Sequence, residues 1–115
     1  MKISELLRHG AENSISAATL CRFAETTPRG LRHYILLERA AGAEILYQPG
    51  GHSGYFLPSL DPEQAQRERL AFYNVMRSRA IGTFKTLRPV AQSLGIPTGQ
   101  LAFDLSDDEQ QKKEG

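Results

Sequence analysis

Apolar residues recur along this chain first at helical spacing and then, briefly, at strand spacing, with clear stop signals between. Ile3, Leu6 and Leu7 share one face of a short first helix that ends near Gly10, a residue suited to a left-handed terminator. Ser16 precedes a run of good helix formers, residues 17–24, and reads as the N-cap of a second helix. Leu20 and Phe23, three apart, are expected to face inward from it. Thr27 caps the third helix, with Pro28 at the first helical position, where a missing N–H costs nothing. That helix runs through Leu31 and Ile35 to residues 38–41 and closes at Gly42.

After Gly42 the period becomes two. Residues 43–47 read as a strand and residues 55–57 as another, stopped by Pro58. Residues 48–54 are too many for a two-residue turn, so a hairpin with a mobile tip is expected. Asp61, Pro62 and Gln64 then supply an N-cap, a first-position proline and a third-position glutamine. Only Gly82 weakens helix from Pro62 to Arg88, a span of about 40 Å. Pro89 is expected to kink it or to start a short helix ending at Gly95.

Helix, helix, tight turn, helix, hairpin is the order of a winged helix-turn-helix. The expected fold is therefore α+β, mostly helical: three helices plus a two-stranded wing over residues 1–60, followed by a long C-terminal helix over 61–95. Residues 96–115 are expected to form a flexible acidic tail.

Particular stretches carry a resemblance. Asn13-Ser14-Ile15-Ser16-Ala17-Ala18, Pro28-Arg29, Glu38-Arg39-Ala40-Ala41-Gly42 and Gly54-Tyr55-Phe56-Leu57-Pro58 resemble small winged helix-turn-helix proteins encoded by prophages and mobile elements of Gram-positive bacteria. Phe72-Tyr73 to Arg79-Ala80 resembles their trailing helix. The resemblance covers about residues 3–90 and implies a DNA-binding fold in a mobile-element setting. One departure lies in the turn, where Glu25 and Thr26 stand in place of the usual glycine and apolar residue. A positive φ at Glu25 would cost on the order of 1 kcal/mol relative to glycine.

The third helix carries the candidate chemistry. At about 100° per residue, Leu31, Ile35 and Glu38 share one face, while Arg29, His33, Leu36 and Ala40 occupy the other, flanked by Gly30 and Arg32. In this motif that helix meets base edges in the major groove. Arg29, Gly30, Arg32, His33 and Leu36 are the expected base contacts, because arginine bonds both guanine acceptors and a small Gly30 would permit close approach. Thr19, Arg22 and Thr27 are the expected backbone contacts. Gln48, Gly50, Gly51 and His52 would form the wing contact, although the tip carries no arginine or lysine. Leu36 and Leu37 are greasy for a groove reader. They either dock the long helix or mark a module that binds a replication or host protein.

On the long helix, Leu70, Tyr73, Met76, Ala80, Phe84 and Leu87 form one apolar stripe, which Ala91 would continue, with Phe72 and Val75 on another side. Two apolar faces predict a homodimer through this helix and hence an inverted-repeat DNA target.

Composition sharpens this picture. Residues 1–103 hold twelve Lys/Arg against eight Asp/Glu, a mildly basic body, whereas the last twelve residues hold five acids and two lysines. Double-stranded DNA is the expected partner, with a protein partner as the alternative. With 115 residues and mean hydropathy −0.40, a single soluble cytoplasmic domain with an appendage is expected. No run is long enough for a membrane span, and the first residues lack a signal-peptide core.

Enzyme chemistry finds little footing. Cys21 is alone and sits beside Leu20 on the inner half of its helix, so a small core residue is expected there. His9, His33 and His52 lie on different elements with no metal-ligand spacing. Residues 50–54 match neither a phosphate-binding loop nor a nucleophile elbow. No catalytic site, metal or cofactor is expected.

Overall fold

A computed structural model of the chain describes residues 2–97. The fold is α+β. Two 3₁₀ turns, Ile3–Leu6 and Ala11–Asn13, precede α1 (Ala17–Phe23) and α2 (Pro28–Ala40). The hairpin strands β1 (Leu46–Gln48) and β2 (Gly54–Phe56) follow, then the long helix α3 (Pro62–Ser93). No helix among the described residues is long and apolar enough to cross a membrane. From residue 98 onward, the expected acidic tail lies outside the described residues.

The chain divides into two compact units, the first reaching Tyr73 and the second starting at Asn74. The first therefore takes in the opening of α3, further than the boundary expected at residue 60. Its core is Ile3, Leu7, Leu20, Leu31, Ile35 and Ile45. Burying each such side chain stabilises the fold by about 1.5–3 kcal/mol.

Local signals place the helix ends. Ser16 Oγ accepts from Thr19 N (3.2 Å), Thr27 Oγ1 from Gly30 N (3.1 Å) and Asp61 Oδ2 from Gln64 N (3.1 Å). Each satisfies a donor that has no partner inside its helix. At the other end of α2, Gly42 (φ 107°) allows its own N–H to reach Arg39 O and that of Ala43 to reach Glu38 O. This is the Schellman closure. The same closure ends α1: Glu25 N donates to Arg22 O and Thr26 N to Cys21 O, with Glu25 at φ 51°.

Several expectations need correction. The first helix is only a four-residue 3₁₀ turn, because the backbone beyond it pairs elsewhere. Leu57 N donates to Arg8 O and Gly10 N to Leu57 O, drawing the chain alongside β2 instead of into another helical turn. Ile15 exchanges both backbone hydrogen bonds with Tyr55, so the segment before α1 lines the second edge of β2. Gly54 is glycine for that reason, since a Cβ there would lie 2.7 Å from Ile15 O. The strands pair Leu46 with Phe56, Tyr47 with Tyr55 and Gln48 with Gly54. β1 begins later than expected because the helix closure uses Ala43 N, and Arg39 Nε donates to Ile45 O, whereas β2 begins one residue earlier, at Gly54.

Phe23 does not face inward. It is 54% exposed, while Leu20, Cys21 and Ala24 take the inner positions of the short α1. Nor does the helix restart at Pro89: α3 continues through it to Ser93, although proline has no N–H to give to the preceding turn. Its end is a further Schellman closure, with Gly95 at φ 72° and Ile96 N donating to Ala91 O.

The opening of α3 is fixed to the first unit by polar anchors. Glu68, almost fully buried, accepts from Ala11 N (2.8 Å), Ser59 N (2.8 Å) and Gln64 Nε2 (2.9 Å). Burial alone would raise its pKa, but these donors and the nearby Arg67 charge outweigh burial and hold it below the ordinary carboxylate range. Arg39 lies over the Phe72 ring at 4.9 Å. The forked Arg69–Glu44 pair (2.7 and 3.0 Å) is about half exposed and adds little stability.

Candidate nucleic-acid interface

The turn between α1 and α2 sets the direction in which α2 presents its side chains. Leu31 and Ile35 are locked into the core. Glu38, on the same side, accepts from Ile3 N (2.6 Å) and Ser4 N (3.0 Å). Desolvation opposes its charge, yet these N–H groups and Lys2 lower its pKa overall. One face of α2 is thus committed to the fold, and the opposite face points to solvent.

That outer face holds Arg29, Arg32, His33 and Leu36, all exposed. Neither Arg29 nor Arg32 makes a hydrogen bond or ion pair among the described residues. The His33 ring lies 6.2 Å from that of Tyr34, which is also exposed. Tyr34 was not among the expected contacts, although its polar tip on an otherwise apolar ring was the available signal. Leu36 is 64% exposed. Leu37 is different: with Lys2, Ser4, Glu38, Ala41 and Ala43 it lines an open cavity of about 310 Å³. Of the two leucines, only Leu36 stands among the arginines.

Gly30 has a second role, inside the fold. A Cβ there would overlap Thr26 Oγ1, and its N–H already serves the Thr27 cap. With Thr26 Oγ1 in that position, the turn favours glycine here. Thr27 keeps a hydroxyl proton to donate while accepting at the cap. Thr19 is half-buried and its Oγ1 accepts from Ser16 Oγ (2.9 Å) and, weakly, from Arg22 Nη2 (3.4 Å). Arg22 itself is exposed.

The hairpin loop departs furthest from expectation. Gln48 Nε2 donates to Ala11 O (2.8 Å), Ser14 Oγ (3.2 Å) and His52 O (3.0 Å). It is a structural tie between the hairpin and the segment before α1, and its amide donors are occupied. Gly50, Gly51 and His52 are exposed, and Gly50 sits at φ 108°. Local sequence gave no sign of the tie from Gln48 to Ala11 and Ser14 because those partners lie over thirty residues away.

On α3, Leu70, Tyr73, Met76, Ala80 and Leu87 of the expected stripe are exposed. Phe84 is not: it is 8% exposed, with the Arg88 guanidinium 4.9 Å from its ring centroid. It is removed from the stripe, while Val90 joins the exposed apolar residues. Cys21 packs partly buried against the core. Comparison with protein-family models, curated proteins and solved structures finds no match.

Proposed function

We propose that this chain is a winged helix-turn-helix protein that binds double-stranded DNA at specific sequences, with α2 in the major groove. We assign it the role of transcriptional regulator or accessory DNA-binding factor of a phage or mobile element, a setting that rests on the sequence resemblance. One observation carries the DNA reading. The helix that follows a tight inter-helix turn commits one face to the core and presents Arg29 and Arg32, without partners among the described residues, on its solvent side. Unpaired guanidinium groups on a rigid helix supply the bidentate donors that guanine edges accept.

Quantitative binding to a duplex selected from a random library tests this reading. Arg29→Ala is expected to lose about 1–3 kcal/mol on the selected site and to relax discrimination at one base pair. Arg22→Ala is expected to weaken all duplexes alike and to reduce the salt slope by about one unit, as a lost phosphate contact does. If no duplex is enriched over random sequence, the DNA reading falls.

The exposed Phe23, Leu36 and Leu37 favour a second reading, a module that binds a replication or host protein through α2. On that reading Leu36→Arg abolishes partner capture, and DNA affinity stays at the non-specific level whatever the sequence.

A further inference from the structure

We propose that Leu36 is a specificity residue of the α2 interface and reads the 5-methyl group of thymine. This rests on the DNA-binding reading above. Leu36 is 64% exposed, is part of neither the buried core nor the lining of the cavity beside Leu37, and lies one helical turn from Arg32 and His33. A leucine about two-thirds exposed, set into a cationic face, calls for a partner that is both anionic and locally apolar. The same arc carries no carboxylate, since Glu38 is turned to the other side of α2, where it caps the first turn. The major groove meets both requirements: phosphates flank it, and its one apolar feature is the thymine methyl. Seven residues separate Arg29 from Leu36, about 10.5 Å of helix, which is roughly three base-pair steps. The thymine should therefore lie about three base pairs from the guanine that Arg29 contacts.

The experiment is affinity selection with the full chain, followed by replacement of each thymine of the selected site by deoxyuridine, which removes only the methyl. Losing one apolar methyl contact should weaken wild-type binding about fourfold at one thymine, three base pairs or so from the guanine lost to Arg29→Ala. Leu36→Ala should be indifferent to that same replacement. Because Leu36 is exposed, this variant should keep its circular dichroism spectrum and melting temperature. If every uracil duplex binds like its parent while Arg29→Ala still loses discrimination, the thymine assignment is wrong and the DNA reading stands. If no duplex is enriched at all, both fall, and the exposed leucine belongs to a protein interface.

Discussion

Glu25 holds a left-handed backbone conformation, φ 51°, at the position where a Schellman closure ordinarily carries glycine. An L-residue there crowds its Cβ against the following carbonyl oxygen, a cost on the order of 1 kcal/mol. Glu25→Gly is thus expected to stabilise the fold by roughly 0.5 kcal/mol, the relief of that crowding less the added freedom of the unfolded chain. Urea midpoints of the two proteins measure it. A destabilised glycine variant would mean that the Glu25 side chain makes a contribution larger than its backbone cost. Other residues show why single positions mislead. Gly30 looks like an invitation to close approach, yet it also makes room for Thr26 Oγ1. Phe23 has the spacing of a core residue but ends a seven-residue helix on its flank.

Among the elements, what a residue does within its own turn was legible, and what it does across the fold was not. Ser16, Thr27 and Asp61 cap because capping involves only the next three residues. The helix closures at Gly42 and Gly95 are equally local. Glu68 reaches Ala11 across 57 residues, Gln48 reaches it across 37, and Glu38 reaches Ile3 across 35. No periodicity marks such partners, and the pairing of Ile15 with Tyr55 was hidden for the same reason. In the candidate site, the wheel of α2 correctly separated Leu31 and Ile35 from Arg29, Arg32 and His33, since side-chain direction in a helix follows from spacing alone.

These distant anchors make the fold sensitive to acid. Glu38 and Glu68 have folded pKa values below their unfolded ones, so their contribution is fully present above the unfolded value, on the order of pH 4.3. It is lost as pH falls through the lowered folded values. Stability from urea melts should be flat from about pH 6 to 5 and should drop steeply below about 4. Glu68→Gln, which offers one acceptor oxygen where two are used, should cost about 1–3 kcal/mol at neutral pH and flatten that acid limb. An unchanged limb would mean that the folded protein does not hold the Glu68 pKa below its unfolded value.

For the molecule as a whole, the open question is what meets the exposed apolar side chains of α3. In the second unit Met76, Leu87 and Val90 are between 39% and 55% exposed, on a helix that runs from Pro62 to Ser93. Apolar groups aligned along a long helix are what a two-fold pairing covers, because the same patch then serves both copies. We propose a homodimer through α3, and light scattering should give twice the 12.8 kDa chain mass at micromolar concentration. Met76→Asp with Leu87→Asp should yield monomers with an unchanged circular dichroism spectrum, since both side chains are exposed within one copy. Phe84→Asp, by contrast, should unfold the second unit, because that ring is already buried. A two-fold dimer carries two copies of α2, and the DNA it selects should be an inverted repeat with half-sites about one helical turn, or a multiple of it, apart. Shifting the spacing by five base pairs puts the half-sites on opposite sides of the duplex. Binding by the wild-type chain should then fall to the level of a single half-site, and the Met76→Asp, Leu87→Asp protein should not sense the shift. A 12.8 kDa mass for the wild-type chain at micromolar concentration, with binding indifferent to spacing, would rule the dimer out.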